Sequence, residues 1–65
     1  MTRLEFARRN ARLTQTQVAH EVLCSPSLVS LIERRLRNPR ESIARKLAIA
    51  VGIDPAKWES LQNQI

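Results

Sequence analysis

The 26 residues 14–39, TQTQVAHEVLCSPSLVSLIERRLRNP, constrain the fold more than any other stretch, because two helix starts and a short turn are written into them. Thr14 is an N-cap candidate: its hydroxyl accepts a backbone N–H left free at a helix start, and Gln17 reaches back to complete a capping box. A helix is therefore expected over about 15–23. Val18, Ala19 and Val22 fall on one of its faces, while Gln15, Thr16, Gln17, His20 and Glu21 occupy the others. Ser25 followed by Pro26 is a second start signal, since serine caps and proline suits a first helical position whose N–H has no partner anyway. The spacing predicts a helix over about 26–34 with Val29, Ile32 and Leu36 turned inward. Ser27, Leu28, Ser30, Leu31, Arg34 and Arg35 are left on its outer surface and edges.

Three further helices flank this run. The first is expected over about 3–12, with Leu4, Ala7 and Ala11 inward and Leu13 closing the stripe. Another should cover about 40–51, burying Ala44, Leu47, Ala48 and Val51 and ending at Gly52 in the left-handed conformation. Asp54 and Pro55 start a last helix over about 55–62, where Trp58 and Leu61 supply bulky apolar surface. The fold class is all-α, a single domain over 1–65. A core this small is marginally stable unless dimerisation or a ligand adds to it.

Eleven Lys and Arg against six Asp and Glu give a net charge of +5. That balance favours an anionic partner, and the clustering of arginines points to nucleic acid, although an acidic protein surface fits the same charge. Other chemistries lack their residues. His20 and Cys24 are each alone, below the ligand count of a zinc site, so no metal or cofactor is expected. The carboxylates of Glu5, Glu21, Glu33, Glu41, Asp54 and Glu59 are scattered, with no nucleophile and base pair or glycine-rich phosphate loop, which argues against an enzyme. Phe6 and Trp58 are too few for a single-strand stacking platform. Cys24 cannot form an internal disulfide and is read as a packing residue, and neither a signal-peptide apolar region nor an 18-residue apolar run occurs. A reducing cytoplasm is the expected compartment.

The series Leu13, Thr14, Gln15, Val18, Ala19, Ser25, Ser27, Val29, Ser30, Ile32, Glu33, Arg34, Asn38, Pro39, Leu47, Ala48, Ala50, Val51, Gly52 and Ile53 resembles the phage Cro and repressor type of helix-turn-helix protein, over about residues 4–61. The resemblance implies a lambda-repressor-like bundle of about five helices in a bacterial host, its second helix across the DNA backbone and its third in the major groove. It implies a transcriptional regulator that binds a pseudo-palindromic double-stranded operator as a homodimer. Arg12, Leu23 and Arg35 stand where members often have glycine. A left-handed backbone costs other residues about 1 kcal/mol, so these turns are either strained or built differently. Leu23 matters most, because it lies between the two central helices.

The same resemblance assigns the contacts. Gln15, with Thr16 beside it, matches the start of the second helix, where a glutamine and the helix N-terminus hold a phosphate and sometimes reach the first base. Pro26, Ser27, Leu28, Ser30 and Leu31 belong to the recognition helix. Serine can bond several base edges and leucine meets thymine methyl groups, which predicts a site defined by thymines and DNA shape; a protein-contact patch is the other reading of the two leucines. Arg34, Arg35, Arg37 and Arg40 are placed to neutralise phosphates, Arg40 also to enter the minor groove, with Asn38 adding a phosphate bond; each taken singly is equally a solvated charge. Arg8 and Glu33 match a structural ion pair. Trp58, Leu61 and Ile65 form the preferred dimer surface, the loop around Leu36 the second. The rival roles are an antitoxin that also grips a toxin protein, and a protein-interaction module that has kept the fold without reading DNA.

Overall fold

The computed structural model describes residues 1–65 and is all-helical: α1 Arg3–Asn10, α2 Gln15–Val22, α3 Pro26–Glu33, α4 Glu41–Ala50 and a closing 3-10 helix Pro55–Ser60. Each of the first three helices starts at a capping hydroxyl. Thr2 accepts from the Glu5 N–H at 3.3 Å, Thr14 from Gln17 at 3.0 Å with the full capping box formed, and Ser25 from Leu28 at 3.1 Å. α4 starts differently, at Arg40, whose side chain has no acceptor and makes no cap bond.

All four α-helices end in the same way. A residue two (α2) or three (α1, α3, α4) beyond the helix returns its N–H to a carbonyl five positions back: Leu13 to Arg8 (3.1 Å), Cys24 to Ala19 (2.9 Å), Leu36 to Leu31 (2.9 Å) and Ile53 to Ala48 (2.8 Å). This Schellman closure requires a left-handed residue just before it. Gly52 serves α4 at φ 83°, whereas Arg12, Leu23 and Arg35 serve α1, α2 and α3 at φ 60°, 61° and 61°. The turns are therefore built as glycine would build them, without glycine. The carbonyls they satisfy outweigh the local steric cost.

The core joins Leu4 of α1, Val18, Ala19 and Val22 of α2, Val29 and Ile32 of α3, Ala44, Leu47 and Ala48 of α4, then Val51 and Leu61. Four expectations are corrected. Ala11 is exposed because α1 stops at Asn10, and Leu36, which lies in the loop beyond the end of α3 at Glu33, is 66% exposed. The last helix is 3-10, shortened to residue 60 and kinked at Lys57, with tight bonds such as Lys57 N–H to the Asp54 carbonyl at 2.8 Å. Its continuation crosses back to α1, where Arg3 and Leu4 donate to the Asn63 and Leu61 carbonyls at 2.8 and 2.9 Å. That crossing buries Leu61 to 1% exposure, so Leu61 is a core residue and not a dimer surface.

Candidate nucleic-acid interface

The turn 23–25 joins α2 to α3 and leaves both helix N-termini open. The Gln15 and Thr16 N–H groups have no partner within the chain, and neither has that of Ser27. These are fixed partial positive charges beside the outer surface of α3. Two concavities flank α3. Gln15 meets Pro26, Ser27, Ser30, Leu31 and Arg34 in one; Leu28 meets Arg37, Asn38, Pro39, Arg40, Ser42 and Ile43 in the other. Leu28 and Leu31 are both half-buried and face opposite flanks of α3, so they do not form one apolar patch. Leu28 also packs on the core. Thr16 is exposed beside Leu13, Gln17 and His20, and Arg35 is exposed outside both concavities.

The charge on this face is uncompensated. The chain's ion pairs are Arg8 with Glu33, Arg9 with Glu5 and Arg45 with Glu41, which leaves Arg34, Arg35, Arg37 and Arg40 without a carboxylate partner. All four are exposed, as is Asn38. Arg34 makes one long bond from Nε to the Ser30 carbonyl at 3.4 Å. The only acidic residue of α3 is Glu33, and it is 3% exposed.

Glu33 is the centre of a buried polar cluster. Arg8 Nε donates to its Oε2 and Arg8 Nη2 to its Oε1 at 3.3 Å, while Arg8 Nη1 reaches the Leu13 carbonyl at 2.8 Å. Gln15 Nε2 donates to Glu33 Oε1 at 3.0 Å, and the Thr2 hydroxyl donates to the Glu33 carbonyl at 3.1 Å. Residues of α1, α2 and α3 are thereby tied at one point, which holds α3 against the other two helices, and no buried side-chain polar atom is left unpaired.

Sequence reasoning missed Gln62. Its Nε2 donates to the carbonyls of Ile32 at 3.1 Å and Arg37 at 2.8 Å, tethering the arginine-bearing loop to the end of the chain. Nothing local signals this, since the partners lie 30 and 25 positions away. Cys24 is half-buried on the core, and burial raises its thiol pKa, so it remains protonated near neutrality. Of the remaining dimer residues, Trp58 is half-buried and Ile65 is 66% exposed.

An outward α3 with no acidic group on its exposed surface, set on α2 by a three-residue turn, defines the helix-turn-helix class of DNA-binding protein. Residues 2–61 match the family model described as "Helix-turn-helix domain", and the chain belongs to that family. No curated protein and no solved structure matches it. No helix is long and apolar enough to cross a membrane.

Proposed function

We propose that the chain is a sequence-specific, double-stranded DNA-binding regulator of transcription of the phage Cro or prophage-repressor type, which occupies a pseudo-palindromic operator as a homodimer. The observation that carries this reading is arginine standing where another residue would be structurally better. Arg35 holds a left-handed position that glycine occupies without the steric cost, and Arg40 holds an N-cap that serine or aspartate would stabilise by about 1 kcal/mol. Both are exposed, unpaired and adjacent to the recognition helix. Arg12 and Leu23 also hold left-handed positions, so what supports the reading is the pairing of Arg35 with the uncapped Arg40 beside the recognition helix.

In this reading the Gln15 and Thr16 N–H groups hold a phosphate. Ser27 and Ser30 bond base edges, Leu28 and Leu31 meet thymine methyls from opposite flanks of α3, and Pro26 abuts the bases. Arg34, Arg35, Arg37, Asn38 and Arg40 neutralise phosphates, Arg40 from a position that reaches the minor groove. Repression follows from occupancy, which excludes polymerase or a competing regulator. A two-fold operator places the recognition helices about 34 Å apart.

For the dimer surface, Leu36 has the better support. Among the four equivalent apolar residues that follow the left-handed positions, Leu13, Cys24 and Ile53 pack on the core and Leu36 alone is turned out, at 66% exposure. Trp58 and Ile65 remain as the second surface. Selection of bound duplexes from a random library at about physiological salt tests the reading. An enriched inverted repeat with half-sites about 10 base pairs apart is expected. Binding without enrichment would leave only phosphate contacts, and no binding would turn the search to a protein partner.

A further inference from the structure

We infer that Gln62 is a positioning residue for DNA binding: it holds residues 37–39 in the conformation that presents Arg37 to a phosphate, and so sets DNA affinity from outside the interface. This rests on the DNA-binding function proposed above. Residues 37–39 join α3 to α4 without regular structure, and Arg37 and Asn38 are exposed. Neither the Arg37 nor the Asn38 N–H has a backbone acceptor, and proline has no N–H to give. No ion pair involves these residues. Concavities open on both sides of them: Asn38 and Pro39 face Trp58 and Glu59 across one, and all three residues line the other beside Leu28.

What fixes this loop is one side chain. Gln62 Nε2 donates to the Arg37 carbonyl at 2.8 Å and to the Ile32 carbonyl, in the last turn of α3, at 3.1 Å. Carbonyls accept and never donate, so the nitrogen faces both whichever hydrogen each receives. A single amide thus sets the distance between the loop and the recognition helix. Gln62 is itself held from either side, because Leu4 donates to the Leu61 carbonyl at 2.9 Å and Arg3 to the Asn63 carbonyl at 2.8 Å. Leu61 is 1% exposed in the core, so the anchor is stiffer than the loop it holds.

A loop without this anchor has to be ordered when it meets DNA. The lost backbone freedom opposes binding, and a loop already held avoids that loss. Arg37 is the contact served, since it has no carboxylate partner and its own carbonyl is the one held. Arg34 differs: its N–H bonds to the Ser30 carbonyl at 3.1 Å on the turn that ends α3, and it does not depend on Gln62.

The test uses Gln62→Met, which keeps the side-chain length and removes the donor. In the protein without DNA, amide relaxation should give Arg37 and Asn38 order parameters near about 0.85 before the substitution and below about 0.6 after it, with α2 and α3 unchanged. Affinity for the selected duplex should fall about five- to tenfold. In an Arg37→Ala background the same substitution should cost less than about twofold, and in an Arg34→Ala background its full effect should persist. Order parameters that Gln62→Met leaves unchanged, or an affinity loss of equal size in both arginine backgrounds, overturn the role of Gln62 and leave the DNA-binding function standing. Failure of the unaltered protein to bind any duplex removes both. A loop already mobile in the unaltered protein also overturns the role, so a poorly folded variant does not protect it.

Discussion

Residues 1–36 and residues 40–65 solve the same problem, starting and stopping short helices around a small core, with different residues. In the first region every helix start has a hydroxyl cap and every helix end a left-handed arginine or leucine. In the second, α4 has no side-chain cap and ends at the chain's single glycine. The contacts between elements differ as well. α1, α2 and α3 share the apolar core residues Leu4, Val18, Ala19, Val22, Val29 and Ile32 and are tied besides by the Arg8, Gln15 and Glu33 cluster, whereas α4 and the closing segment bring Ala44, Leu47, Ala48, Val51 and Leu61 to the core without such a cluster. Directional bonds specify orientation, and apolar contact mainly adds stability. The difference teaches that the region presenting α3 is built for a defined geometry at some cost in strain, and the other region is its support.

The sharpest way to break this comparison is to remove the anchor of the first region. Glu33→Ala should lower stability by about 3–5 kcal/mol in urea unfolding, because it leaves the Arg8 guanidinium buried without its partner. Arg8→Met combined with Glu33→Leu should lose less than Glu33→Ala alone. Near-additive losses in the double-mutant cycle would mean that the pair does not act as a unit.

The support region is probed at its burial boundary. Leu61→Ala should cost about 2–5 kcal/mol, as a cavity in a filled core does, and Ile65→Ala should stay within about 0.5 kcal/mol. Equal small losses would return Leu61 to the surface.

The smallest effects separate the two kinds of helix end. Leu23→Gly should raise stability by about 0.5–1 kcal/mol, because the side chain is 86% exposed and its removal relieves the left-handed strain without loss of packing. Gly52→Ala should lower it by about 1 kcal/mol for the same reason reversed; a methyl there meets nothing within 4 Å, so strain alone is measured. A fall for Leu23→Gly would show that the turn is not left-handed in solution.

Much of the architecture was legible because it is encoded within one or two turns of chain. Thr14 with Gln17, Ser25 with Pro26, and Asp54 with Pro55 act on backbone groups two or three residues away, so helix starts could be read directly. The inward spacing of Val18, Val22, Val29 and Ile32 was equally plain. Of the candidate interface, the arginine row could be named as a row. Its division into two concavities could not, because Leu28 and Leu31 are three residues apart on one helix and only the neighbouring elements decide which flank each meets.

By itself, then, the sequence determined the helix boundaries near their caps, the apolar stripes and the excess of positive charge, all of which follow from short-range sterics, hydrogen bonding and composition. Tertiary structure alone decided that Arg12, Leu23 and Arg35 would adopt a conformation their side chains disfavour, that Leu61 would go inside and Leu36 outside, and that Gln15 and Gln62 would bond to partners 18 to 30 positions away. Those outcomes depend on which buried carbonyls and carboxylates lack a donor once the helices pack, and that is a property of the assembled core.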